Sequence, residues 1–132
     1  MSEVFFHIAA GSFVLTGLGH TSAELFAGIQ NTSEETTRVL EEMKSCLIPM
    51  PGRKVSIYTM MRGFSLMMGL LLIAIGVINH LSATTVMTQA PMMGLNVAVS
   101  ALGLFISIRY FFIVPIVLMG IATGAYLTAW IV

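Results

Sequence analysis

His20, Thr21, Glu24, Tyr58 and Arg62 carry the chemistry that stands out in this sequence, because all of them fall within or beside long apolar segments. On a helix, His20 and Glu24 share one face, a turn apart. Glu24 lies about a turn before the first polar loop and Arg62 about two turns after it, so two antiparallel helices bring them to a similar depth. An ionisable group inside a bilayer costs about 2.5–3.5 kcal/mol on insertion scales, and such groups usually face the bundle interior in pairs. The expectation is a Glu24–Arg62 pair near the membrane boundary, with His20 within reach of the same cavity and Thr21 and Tyr58 beside it. Three roles fit that cluster. It can be a latch that fixes the register of two helices. It can be a working site in which His20 shuttles protons or Arg62 grips an anionic headgroup. It can also be plain interfacial snorkelling.

No residue is assigned as catalytic, since no nucleophile–base pair or phosphate loop is present. His7 and His80 both fall at the opposite membrane boundary, and Met87, Met92 and Met93 would be soft donors, yet no tight ligand spacing joins them. No metal and no cofactor is therefore expected. The 11 methionines are read as adaptable packing residues. Cys46 is the only cysteine, which excludes an internal disulfide.

The elements that position these side chains follow from composition. The chain has 132 residues, 57% hydrophobic and 9% charged, where a soluble domain carries about a quarter charged residues. Net charge is zero and no basic block stands out, so no nucleic-acid partner is expected. A helix needs roughly 20 mostly apolar residues to cross a bilayer, and the segments 4–28, 57–80, 91–108 and 112–132 qualify, with Pro91 and Pro115 in first turns. The start Met1-Ser2-Glu3 lacks the positive charge of a secretory signal, so the first segment is expected to be retained. The fold class is all-α: an integral membrane four-helix bundle forming a single domain over 1–132. A short cytoplasmic amphipathic helix is expected between helices one and two. Its start is marked by Thr32-Ser33-Glu34-Glu35, with capping-box spacing. Arg38 and Glu42 are spaced for an ion pair, and Pro49 and Pro51-Gly52 mark the helix's end. The link 81–90 is short and uncharged.

Lipid tails are as apolar as leucine, so membrane helices associate through small residues and polar contacts. Thr16 and Gly17 join His20 and Glu24 on helix one, and Ser65, Gly69 and Gly76 join Tyr58 and Arg62 on helix two. Asn96, Ser100, Gly103 and Ser107 line helix three, and Gly120, Gly124 and Thr128 line helix four. Gly120 and Gly124 make a GxxxG pair, read as packing within the chain or as a face for a second subunit.

The segment Leu18-Gly19-His20-Thr21, with Met43, Arg62 and Gly63-Phe64-Ser65 after it, resembles small bacterial four-helix membrane proteins of unknown function. The resemblance covers about the first 70 residues and implies the fold and no activity. The four-helix plan is also similar to that of DoxX-like proteins. Size, the long first loop and Arg62 are similar to the MAPEG family of glutathione-linked membrane enzymes. The Asn and Glu that follow the arginine there are replaced by Gly63-Phe64-Ser65-Leu66-Met67. Glu24 is similar to the helix-one carboxylate of small multidrug exporters, whose loops are shorter.

The functional expectation is a non-enzymatic membrane module, either an accessory subunit or a binder of a lipophilic small ligand. The alternatives are an enzyme acting on a lipophilic substrate at the cytoplasmic side and a proton-coupled small exporter. Membrane lipid is the expected partner, with a homo-oligomer or a larger membrane complex left open. Arg38, Lys44, Arg53 and Lys54 lie in the first loop and Arg109 in the third, so the positive-inside rule places a multi-pass protein in the inner (plasma) membrane with both termini outside the cytoplasm. A reporter active only outside the cytoplasm, fused after Val132, is expected to be active, and an inactive one would reverse the orientation.

Overall fold

The computed structural model describes residues 1–26 and 33–132. Its elements are α1 (Ser2–Phe26), α2 (Glu34–Ser45), β1 (Leu47–Met50), β2 (Arg53–Ser56), α3 (Ile57–Leu81), α4 (Ala83–Thr88), α5 (Ala90–Tyr110) and α6 (Ile113–Ile131). The fold is all-α apart from one short hairpin. The helices α1, α3, α5 and α6 are long and apolar enough to cross a membrane. The expected end of helix one at Gly28 and the capping residue Thr32 lie outside the described residues.

Local chemistry explains the connections. Ser33 caps α2, its hydroxyl accepting from the Thr36 amide at 3.3 Å and pairing with the Thr36 hydroxyl at 2.9 Å. The cap thus runs from Ser33 to Thr36. Glu34 and Glu35 in the first turn and Lys44 in the last complement the helix dipole. The expected Arg38–Glu42 pair forms at 4.0 Å with both side chains 74% exposed, and a pair so open to solvent contributes little.

The helix stops at Ser45, before the prolines expected to end it. Pro49 and Pro51 lie instead in a β-hairpin, where Leu47–Met50 pairs antiparallel with Arg53–Ser56. Gly52 has φ +85°, the conformation that the third position of a type II turn requires after proline. The hairpin runs directly into α3, whose N-cap Ser56 accepts from the Thr59 amide at 3.2 Å. A second unforeseen element is α4, which occupies the link 81–90.

The long helices pack in the order α3, α1, α6, α5, with each neighbour antiparallel. One end of the bundle carries α2 and the hairpin and is called the loop end. The other, with the start of α1, α4 and the end of α6, is the terminal end. Phe6 and Phe13 of α1 meet Tyr126 of α6 there, with ring centroids 5.2 and 6.2 Å apart. Ala83 and Val86 of α4 and Met93 of α5 complete this core.

Glycine sets the closest approach. A Cβ on Gly17 would lie 2.6 Å from the Gly69 carbonyl oxygen, and one on Gly76 would lie 2.6 Å from the Ala10 oxygen. The backbones of α1 and α3 therefore touch. The small-residue stripe of α6 is different. A Cβ on Gly120 would only reach Leu104 at 4.0 Å, and one on Gly124 would meet nothing within 4 Å. Gly124 is exposed, so its expected place in the packing of the chain is corrected: α6 turns Ala122, Ala125 and Ala129 inward instead. Gly103 does face inward, where a Cβ would lie 3.2 Å from the Met119 sulfur.

Asn79 links the helix pairs. Its Nδ2 donates to Asn96 Oδ1 at 2.9 Å and to the Tyr126 hydroxyl at 3.0 Å, while Asn96 Nδ2 returns a bond to Asn79 Oδ1 at 3.2 Å. These bonds tie α3 to α5 and α6 near the terminal end. We expect Gly76→Leu to destabilise the detergent-solubilised protein by about 1–3 kcal/mol through overpacking. Gly124→Leu should be neutral and Gly103→Leu intermediate, because the flexible Met119 thioether can move. Thermal unfolding of the three variants checks this order.

Candidate functional site

The glycine contact between α1 and α3 fixes the register in which their polar residues meet. One turn beyond Gly17 and Gly69 toward the loop end, His20 Nε2 and Ser65 Oγ lie 3.0 Å apart. A further turn on, Arg62 Nε donates to Glu24 Oε1 at 3.0 Å. Glu24 is 19% exposed and Arg62 40%, which places the pair at the rim of the bundle rather than deep within it. Tyr58 receives the Arg62 guanidinium over its ring at 5.7 Å, and the Lys44 ammonium of α2 at 5.2 Å. The Lys44 contact fastens the amphipathic helix to α3, whereas the Arg62 contact lies within α3 itself.

The structure therefore divides the cluster expected from sequence. Glu24, Arg62 and Tyr58 come together, joined by Lys44. His20 turns to Ser65 and lies edge-on to Phe111, with centroids 6.1 Å apart. Thr21 is pressed against Gly69, and its buried hydroxyl has no hydrogen-bond partner among the described residues. The division follows from the interhelical register, which sets Ser65 and not Arg62 opposite His20.

His20 borders the feature that sequence could not reveal, a cavity of about 280 Å³ in the loop-end half of the bundle. Leu15, Thr16, Gly19 and Ala23 of α1 form one wall, and Met68 and Leu72 of α3 the next. Gly103, Ile106 and Ser107 of α5 face them, while Phe111, Phe112, Pro115, Leu118 and Met119 close the remainder. The walls are apolar apart from three side chains. Thr16 satisfies its hydroxyl on the Ser12 carbonyl at 2.7 Å. Ser107 is 5% exposed, yet its hydroxyl makes no hydrogen bond among the described residues. The third is the His20 imidazole.

At the terminal end, His7 and His80 do come together, with ring centroids 4.5 Å apart. Glu3 lies 3.9 Å from His7 Nε2. Of the methionines weighed with them, Met93 is buried in the core and Met92 is exposed. Among the described residues no group of three or more His, Cys, Asp or Glu side chains is arranged to hold a metal ion.

Replacing Glu24 or Arg62 singly by Gln is expected to lower the melting temperature in detergent, since the remaining charge keeps its desolvation cost. The double substitution should recover part of the loss, and the partial exposure of Arg62 keeps all three effects modest. Strictly additive losses would show that the pair is not a latch. Comparison of the chain with protein-family models, with curated proteins and with solved structures finds no match.

Proposed function

We propose that this chain is a non-enzymatic membrane module that binds a lipophilic small ligand in the cavity between α1, α3, α5 and α6. The cavity itself carries the reading. Helices in lipid associate by close packing, and this chain achieves such packing at the terminal end, where Phe6, Ala9, Ala10 and Tyr126 are fully buried. The loop-end half leaves about 280 Å³ unfilled, close to the lower bound of roughly 300 Å³ for ligand pockets. Apolar walls with few polar groups are the usual composition of such sites.

Membrane lipid is the natural source of the ligand. The helices α3 and α5 flank the cavity but are not packed against each other along their length, which supports entry sideways from the bilayer between Met68 and Ile106. The charge distribution supports a cytoplasmic loop end in an inner (plasma) membrane, since Arg38, Lys44, Arg53, Lys54, Arg62 and Arg109 are all at that end. Glu24 is held by Arg62, which favours a structural role for that carboxylate over the proton-coupled export of the alternative reading. A lipophilic-substrate enzyme gains no support from residues placed around the cavity.

The reading is tested by filling the space. Gly19 lines the cavity, and a Cβ there would meet nothing within 4 Å, so Gly19→Leu should occupy the cavity while improving helix propensity. Gly11 is equally unobstructed and lies outside the cavity, so Gly11→Leu is the control. A diazirine-bearing alkane in nanodiscs should photolabel cavity peptides of the parent protein and of Gly11→Leu, and label Gly19→Leu several-fold less. Equal labelling of all three would reject the cavity as a ligand site.

A further inference from the structure

Two polar groups in the cavity walls are left with capacity to spare, and they stand on different helices. His20 of α1 uses Nε2 toward Ser65, and its Nδ1 has no hydrogen bond among the described residues. Ser107 of α5 is buried, and its hydroxyl is equally without a partner. A serine within a helix commonly returns its proton to the carbonyl one turn back. Ser12, Thr16 and Thr123 do so in this chain, whereas Ser107 does not. Its oxygen keeps some accessible surface, so the hydroxyl can donate to an acceptor that reaches it.

We propose that the cavity holds a long-chain carboxylate, with its chain against the apolar walls and its headgroup between His20 and Ser107. This assignment rests on the reading of the cavity as a lipophilic-ligand site and adds the chemistry of the headgroup. When Ser65 donates to Nε2, the tautomer that results carries its proton on Nδ1. The imidazole and the Ser107 hydroxyl are then two donors from separate walls. A carboxylate has two oxygens to accept from both. No acidic side chain lines the cavity, and the neighbouring carboxylate, Glu24, is neutralised by Arg62. An anion therefore meets no opposing charge. The modest volume suits a single chain and excludes a two-chain lipid lying wholly within it.

Three probes with the same diazirine-bearing chain distinguish the headgroup from the chain: a fatty acid, its methyl ester and the alkane. In neutral phosphatidylcholine nanodiscs, the acid is expected to label cavity peptides several-fold more strongly than the ester or the alkane. Ser107→Ala and His20→Phe should each bring the acid down to the level of the ester. Alkane labelling should be unchanged in Ser107→Ala, which shows that the cavity persists. Equal labelling by the three probes, or an acid preference that survives both substitutions, would overturn the headgroup assignment and leave the apolar cavity as a ligand site. Absence of labelling by all three would overturn both.

Discussion

The direct backbone contact between α1 and α3 governs the rest of the molecule. Lipid offers no hydrophobic drive for helices to associate, so dispersion between closely fitted surfaces must supply it. Gly17, Gly69 and Gly76 remove the side chains that would hold the two helices apart. Once the backbones touch, rotation and sliding are both restricted. Glu24 then stands opposite Arg62, and His20 opposite Ser65. The polar contacts refine a register that the glycines have already narrowed.

The other half of the bundle follows a different logic. Aromatic and alanine packing joins α1 to α6 at the terminal end, and α4 covers it with Ala83 and Val86. The reciprocal Asn79–Asn96 amide pair joins α3 to α5 there, where those helices are otherwise not packed together. Strong coupling at one end and a cavity at the other are thus parts of one arrangement. At the loop end the polar ties run between α1 and α3, and the unfilled space lies toward α5, which α3 does not pack against.

Much of this was legible in the sequence because its causes are local. The spanning segments follow from length and hydropathy, and the Glu24–Arg62 pair follows from the cost of charge in lipid combined with antiparallel neighbours. The inward placement of Gly69, Gly76, Asn96 and Gly103 follows from shared helix faces. The hairpin was obscured because its strands are short and its prolines are read most simply as helix terminators. The partnership of Asn79 with Tyr126 depends on how α6 is rotated against α3, two residues separated by 47 positions. Ser65 was visible on the face of Arg62, but only the register shows that it, and not Arg62, faces His20. A cavity is the least legible feature of all, since it depends on how several helices sit together rather than on any one residue.

The uneven distribution of empty space also makes the two ends mechanically unlike. A well-packed interior resists compression, whereas internal voids are what hydrostatic pressure acts upon. The terminal end, with Phe6 and Tyr126 fully enclosed, is the stiff end of the bundle. The loop-end half, with about 280 Å³ left unfilled between Leu15, Leu72 and Leu118, is the soft one. On that principle, pressure acts on the unfilled loop-end space before it reaches the aromatic core at the terminal end.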